Sequence, residues 1–180
     1  MKWTHRKNRQ AGVTLMELIA ALAVMAVIIV GALSLYTSAS TSEKVNTLNQ
    51  DTRALQAAVR SLYSGQGTYG AVGKKLNNIL VTAKRVPSTI KVDTTATPYT
   101  MTHAANGNVD VVSTGNSFEV QLTNITPELC VPLMTGASGW TSVRVGATAG
   151  GGTPRTPPVD PNTAATDCNA SGATFLTFLN

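Results

Sequence analysis

Charged and aromatic side chains are scarce in this sequence. Of its 180 residues, 13% are charged and 5% are aromatic, whereas an average soluble domain is about 25% charged. Low charge combined with 43% hydrophobic residues excludes the intrinsically disordered class, which needs the opposite balance. The length allows one ordinary domain plus an extra segment, and it excludes two full domains.

Motifs of catalysis and metal binding are also lacking. The sequence contains no GxSxG, HExxH, EF-hand loop or CxxC, and Asp93, Asp110 and Glu119 are scattered along it. His103 is expected to be a lone, exposed histidine. Glycines 150–152 are predicted to lie in a surface loop, because no Gly-Lys-Ser/Thr follows them as in a phosphate cradle. We therefore expect no enzyme, no cofactor and no metal.

The excess positive charge is concentrated at one end. The formal net charge is +5, and Lys2, Arg6, Lys7 and Arg9 lie within the first twelve residues, which contain no acid. The rest of the chain has ten basic residues (14 − 4) against nine acidic ones. A nucleic-acid binder needs its positive charge clustered on the folded surface, so we expect no nucleic-acid partner. A basic stub before an apolar run is typical of a targeting segment.

An uncharged apolar run extends from Leu18 to Leu35. As a helix these eighteen residues would span about 27 Å, close to the ~30 Å hydrocarbon core of a bilayer. We predict a membrane-inserted helix, with the basic residues cytoplasmic and everything after Tyr36 on the far side. The run also fits a secretory signal peptide cut near residues 38–40, or a plain one-span anchor.

Glu17 stands at the start of this run, and neither a signal peptide nor a plain anchor needs an acid there. An unpaired carboxylate in an apolar setting costs several kcal/mol of desolvation. The simplest alternative is an interfacial acid that reaches out to water. A functional role would instead require a positively charged partner.

Residues 11–19 read AGVTLMELI, after a basic leader and before an apolar helix. This segment resembles the prepilin signal of type IV pilins. The resemblance implies that a membrane peptidase removes residues 1–12 by cutting between Gly12 and Val13 and methylates the new amine of Val13. It also implies that Glu17 pairs with the terminal amine of a neighbouring subunit. Valine at the first mature position and an apolar helix without proline resemble the type IVb branch. The short segments Val86-Pro87-Ser88 and Thr126-Pro127-Glu128 resemble the pilins of plasmid-encoded thin pili.

The helix is predicted to continue beyond the apolar run. We expect one long helix over residues 13–64, with residues 13–36 as the transmembrane and polymerisation half and residues 37–64 as an amphipathic half stopped by Gly65 and Gly67. An apolar stripe with alternating spacings of three and four is predicted to pack on the C-terminal domain: Val45, Leu48, Thr52, Leu55, Val59 and Leu62. The opposite face carries Lys44, Asn46, Asn49, Arg53, Gln56 and Arg60.

Residues 65–180 are predicted to form a sheet-rich head. Turn signals separate short β-type runs, which favours an antiparallel meander and an α+β fold with the long helix packed on an antiparallel sheet. The predicted strands are 99–103, 109–112, 118–122, 140–145 and 174–179, and the predicted short helices are 72–81 and 127–134. Thr126-Pro127-Glu128 marks the second helix start. Residues 146–167 are predicted to be an irregular surface loop.

Cys130 and Cys168 are the only cysteines. In an exported head a disulfide is permitted, with a pair of buried free thiols as the alternative. Type IV pilins commonly carry one C-terminal disulfide around a variable, surface-exposed region. The resemblance therefore implies a Cys130–Cys168 bond that bounds residues 130–168.

These observations predict a structural subunit, the major pilin of a type IVb pilus for adhesion, cell–cell contact or conjugative mating. The expected partners are a prepilin peptidase, identical subunits in a helical filament, the inner-membrane assembly machinery, and a host or recipient-cell receptor. The expected location is the inner membrane, with the head in the periplasm, and then an extracellular filament. A minor pilin, a type II secretion pseudopilin, and an exported binding protein with an ordinary signal or anchor are the alternatives.

Overall fold

The computed structural model describes residues 14–170 and 172–180. Along the chain, its elements are α1 (Leu15–Leu62), α2 (Asn77–Thr82), β1 (Lys91–Asp93), β2 (Thr100–Thr102), β3 (Asn108–Ser113), β4 (Phe118–Leu122), α3 (Pro127–Thr135), β5 (Ser142–Gly146), α4 (Pro161–Cys168) and β6 (Phe175–Leu179). The chain divides into two compact units, residues 1–40 and residues 41–180.

The described part of the first unit is one continuous stretch of α1. Every side chain from Thr14 to Ala39 is exposed to the surroundings of the chain, including the large apolar ones. A helix that is apolar on all sides is not stable in water and needs lipid or other helices around it. Among the described residues, α1 is the one helix whose length and composition would let it cross a membrane.

The second unit begins with the amphipathic part of α1. The predicted stripe is confirmed: Leu48, Thr52, Leu55 and Val59 are buried, and Val45 and Leu62 are partly buried. The placement of Gln56 on the exposed face was wrong, because this side chain is only 8% exposed. Its Nε2 donates hydrogen bonds to the Gly139 carbonyl at 2.9 Å and to Asn180 Oδ1 at 3.0 Å. The amide therefore connects α1 to the loop after α3 and to the C-terminal residue.

Six antiparallel strands form a single sheet in the order β1-β2-β3-β4-β6-β5. The predicted meander of β2, β3 and β4 is confirmed. Val109 lies opposite Leu122 and Val111 opposite Val120, and all four side chains are buried. The last strand of the chain, β6, lies between β4 and β5. The buried faces of these strands and the stripe on α1 share one hydrophobic core, and burial of that apolar surface stabilises the head.

Two short elements differ from the sequence predictions because short elements carry little periodic signal. The helix predicted over residues 72–81 occupies only Asn77–Thr82. The positive φ of Gly73, 80°, interrupts its first half, and Lys75 instead forms an isolated antiparallel bridge with Val112. Strand β1 was not predicted at all, since it is three residues long and fully exposed.

The segment predicted to be an irregular loop also contains a helix, α4. Asp160 caps it, and its carboxylate accepts the backbone N–H groups of Asn162 and Thr163 at 3.0 and 3.1 Å. Pro161 occupies the first helical position, which needs no N–H donor. The prediction of an irregular path over residues 146–167 was therefore wrong for its last part. Asp160-Pro161 was the available signal, since an acidic cap before a proline marks a helix start.

Candidate functional site

The amino end of α1 carries Glu17, the residue predicted to act in polymerisation. Thr14 precedes the first helical residue, and its Oγ1 accepts the backbone N–H of Glu17 at 3.3 Å. The Thr14 carbonyl also accepts the N–H groups of Glu17 and Leu18, both at 3.1 Å. Thr-x-x-Glu is the sequence of a capping box, in which the threonine caps the helix and the glutamate lies at its third position.

This capping geometry gives Glu17 a local role that we did not predict. A carboxylate in the first turn is favoured by the helix dipole, by roughly 0.3–1 kcal/mol. The side chain of Glu17 is exposed, so it is also accessible to a second molecule. Glu17 can therefore act in the capping box and as a charged partner for a second molecule. An experiment must separate the effect of its negative charge from the effect of capping.

Gly12 and Val13, the predicted cleavage and methylation positions, lie outside the described residues. The first described residue is Thr14, one position beyond Val13. From Leu18 to Ser42 the sequence contains no charged residue, so Glu17 is the only charge between Thr14 and Ser42. An isolated acid at one end of a long apolar helix is the arrangement that the predicted pairing requires.

The two cysteines that were predicted to form a disulfide are bonded to each other in the structure. Cys130 in α3 and Cys168 at the end of α4 form a disulfide, with a Cα–Cα distance of 5.8 Å. Both cysteines are buried. The bond ties the two helices that flank β5 in sequence, and so it closes the C-terminal region of the head.

An ion pair adds to this connection. Arg155 Nε and Nη2 donate hydrogen bonds to the two carboxylate oxygens of Asp167 at 2.7 and 2.9 Å. The backbone of Arg155 also forms an isolated bridge with Val143 in β5. The segment between β5 and α4 is thus fixed at its middle, both to the sheet edge and to α4.

Removing the disulfide is predicted to lower the stability of the head. The cysteines are 38 residues apart, and for a loop of that size the chain-entropy model predicts a loss of about 4 kcal/mol. We expect Cys130→Ser to unfold at a markedly lower denaturant concentration than the wild-type protein in detergent. Wild-type protein treated with reductant is the matched control and should unfold at a similarly reduced concentration. Equal wild-type midpoints with and without reductant would contradict the assigned role.

The prediction that His103 is an exposed histidine was wrong. It is only 2% exposed, and both ring nitrogens have backbone partners. Nε2 lies 3.0 Å from the Thr123 carbonyl oxygen, and Nδ1 accepts the N–H of Ala105 at 3.1 Å. A carbonyl oxygen requires a donor, so Nε2 carries the proton and the ring is neutral. Desolvation lowers the pKa of His103 below its ordinary value of 6.5, and this outweighs the opposing effects of Thr123 and Asp51.

Asp51 of α1 is a second buried polar residue that the sequence did not indicate. Its carboxylate is 4% exposed and accepts a hydrogen bond from the Thr89 hydroxyl through one oxygen. The other oxygen, Oδ2, has no hydrogen-bond partner among the described residues. Burial raises the pKa of Asp51, against the lowering effects of Thr89 and His103.

The scattered acids Asp110 and Glu119 form separate ion pairs and no shared site. Lys75 Nζ contacts Asp110 Oδ2 at 2.9 Å, and Arg144 contacts Glu119. Asn77, which is fully buried, connects the Asp110 region to the sheet by accepting the N–H of Val111 at 3.0 Å. Within residues 14–170 and 172–180, no group of three or more acidic, histidine or cysteine side chains is placed to hold a metal ion.

Comparisons with known proteins agree on the architecture. Residues 42–180 match the family described as PilS N terminal, and residues 7–33 match the prokaryotic N-terminal methylation motif. The chain is similar in structure to the type IV b pilin from Salmonella typhi, with a TM-score of 0.56, 19% identity, and coverage of 76% of this chain and 97% of that one.

A second solved structure has the same fold. It is TcpA, a type IV pilin from Vibrio cholerae El Tor biotype, with a TM-score of 0.54, 17% identity, and coverage of 77% of this chain and 99% of that one. No curated protein sequence matches the chain at a significant level.

A long N-terminal helix with an apolar exposed half, packed farther along on a six-stranded antiparallel sheet, is the fold that this chain shares with type IVb pilins of known structure. Together with the N-terminal methylation motif, it marks the chain as a pilin, which is a structural protein and not an enzyme. Since the family match covers residues 42–180, the chain belongs to the PilS N terminal family. The predicted α+β fold class is thereby confirmed.

Proposed function

We propose that this pilin is the major subunit of a type IVb pilus that serves adhesion, cell–cell contact or conjugative mating. The observation that carries the proposal is the fully exposed apolar surface of α1 before Ser40, with Glu17 as its only charge. A surface of this kind serves a protein that leaves the membrane to bundle with identical helices. Small residues on it (Ala20, Ala21, Ala23, Ala26 and Gly31) would allow close helix approach.

Processing would come first. In the membrane the basic leader stays cytoplasmic, and a prepilin peptidase cuts between Gly12 and Val13. The cut creates a cationic amine on Val13 at the start of α1, and methylation of that amine retains its charge. The apolar half of α1 remains in the mature chain, whereas an ordinary signal peptidase would discard it.

Polymerisation would then bring the two charges together. Glu17 lies about one helical turn beyond Val13, so an axial stagger of about one turn between adjacent, parallel subunits would bring the two charges to the same depth. Each charge alone is costly in an apolar filament core, and their pairing offsets much of both penalties. The pairing therefore favours one axial stagger between subunits, because any other stagger leaves an acid and an amine unpaired.

The mature N-terminus tests the processing step. Filaments sheared from cells should contain this chain as the dominant protein, and its N-terminal peptide should begin at Val13 with one added methyl group by mass spectrometry. A start near Thr41 would contradict the proposal, because the polymerisation helix would then have been removed. A start at Val13 with only trace amounts in the filament would indicate a minor pilin.

A further inference from the structure

The β2–β3 turn is held by an imidazole ring that can make both of its hydrogen bonds in only one protonation state. His103 ends the β2 side of the turn, and its Nδ1 accepts the N–H of Ala105 two residues later. Its Nε2 donates to the carbonyl of Thr123, just beyond β4. The His103 ring thus connects the β2–β3 turn to the residue that follows β4.

Protonation of this ring removes one of the two bonds. A neutral imidazole offers one donor and one acceptor, but imidazolium offers two donors. A proton on Nδ1 would face the N–H of Ala105, so two donors would oppose each other at 3.1 Å. The bond to Thr123 would survive, whereas the bond inside the turn would not.

The ring has little room to adapt on one side. A Cβ atom added to Gly107 would lie 2.5 Å from His103 Nε2 and 1.9 Å from the Thr123 oxygen, so the turn backbone lies tightly against both groups. A protonated ring cannot move toward Gly107. The Ala105 amide or the ring itself must therefore move away, toward the groove beside the turn.

That groove has a volume of about 220 Å³ and is lined by Ala105 together with Lys44 and Glu128, among others. Of the charged groups around the turn, Asp51 of α1 acts on His103 directly, by an attraction that favours the protonated ring. Lys44 of α1 and Glu128 of α3 line the groove with opposite charges. The attraction to Asp51 therefore acts against desolvation, which is the larger effect and lowers the pKa of His103.

We propose that His103 is an acid-sensitive latch of the β2–β3 turn: a proton taken from solvent onto Nδ1 breaks the bond from Ala105 N–H and loosens the turn at Ala105. The backbone bonds from His103 N–H to Gly107 and from Asn106 N–H to His103, both 2.9 Å, still close the rest of the turn. The latch regulates the head of the folded pilin and does not depend on the proposed polymerisation mechanism. Acidification would loosen this turn before the rest of the head.

The direction of the pH effect follows from the burial of the ring. The folded state holds a proton on His103 less readily than the unfolded state, whose pKa is near 6.5. The stability that the latch provides is therefore complete above this pH and is lost as the pH falls below it. While the folded ring is mostly neutral, the opened fraction rises by up to about tenfold for each pH unit.

Amide hydrogen exchange and NMR of the full-length chain in detergent micelles test the latch between pH 7.5 and 4.5. We expect the protection factor of the Ala105 amide to fall by up to about tenfold per pH unit, together with titration of the His103 ring. The amide of Val111 is the internal control, because it is held by Asn77 Oδ1 at 3.0 Å, and its protection should stay constant. Titration of the ring with constant protection at Ala105 would overturn the proposal.

His103→Asn is the matched variant. Its side-chain oxygen can accept the Ala105 N–H in an Asx-turn but cannot titrate in this range. We expect its Ala105 protection to be independent of pH. An equal fall in protection in this variant would also overturn the proposal, as would a wild-type ring that takes up no proton above pH 4.5. The wild-type measurement decides the question by itself if the variant fails to fold.

Discussion

Replacing Glu17 by glutamine is expected to abolish filaments while leaving the chain processed and in the membrane. The variant has nearly the same shape, and glutamine also serves at the third position of a capping box, so the Thr14 cap is retained. Only the negative charge is lost. Breaking a buried ion pair by neutralising one partner costs about 3–5 kcal/mol, which at each subunit contact lowers the association constant by more than about a hundredfold.

Two comparisons make this result specific. Glu43→Gln is the matched control, because Glu43 is the next acid along α1, is also exposed, and lies in the head-bearing half of the helix. It should assemble normally. Normal filaments from Glu17→Gln, with filaments lost only in Glu17→Ala, would show that Glu17 acts through the capping box and not through charge pairing. Filament yield by shearing and electron microscopy measures both variants.

Replacing Gly12 by isoleucine is expected to block cleavage. The resemblance to prepilins implies a peptidase that accepts glycine before the cut, and a branched side chain there would fill space that a glycine leaves open. The protein should accumulate in the inner membrane with residues 1–12 still attached, and no filaments should form. Intact mass of the membrane-extracted protein measures the retained leader.

The substitution Gln10→Ala is the control for Gly12→Ile, since it changes the leader but leaves the two residues of the predicted cleavage site, Gly12 and Val13, unaltered. It should be processed as the wild type is. If Gly12→Ile were processed to a start at Val13, the assigned cleavage position would be wrong. If Gly12→Ile were trimmed near Thr41 instead, an ordinary signal peptidase would be acting on the chain.

Much of the fold could be predicted because the long elements repeat their signals. The stripe from Val45 to Leu62 extends over several helical turns, and β4 was predicted with the bounds that the structure has. Strand β1 escaped because its three residues are all exposed, and helix α4 escaped because it buries only Ala164 and Cys168, which are too few to show a period. Their positions depend on tertiary contacts, such as the disulfide at Cys168.

Some site residues could likewise be predicted from the sequence, and others could not. Glu17 stood out because a charge beside an apolar run is costly, and its capping role was readable from Thr14 three residues earlier. His103 and Asp51 did not stand out, because a single polar residue gives no pattern that distinguishes a buried position from an exposed one. Their burial results from β2, α1 and the β2–β3 turn meeting in three dimensions, which local spacing does not encode.

The position of β6 makes the pairing of both β4 and β5 depend on a strand that lies late in the sequence. Residues 175–179 follow every other described strand in sequence, yet they hydrogen-bond to β4 on one side and to β5 on the other. Until residues 175–179 are in place, β5 pairs only with Arg155, and the edge of β4 that faces β6 is open. Asn180, directly after β6, connects this strand to α1, since its side-chain oxygen accepts from Gln56 and from Arg60, at 3.0 and 2.8 Å. A label attached next to Asn180 would therefore disturb the contacts between β6 and α1, so labels belong elsewhere on the chain.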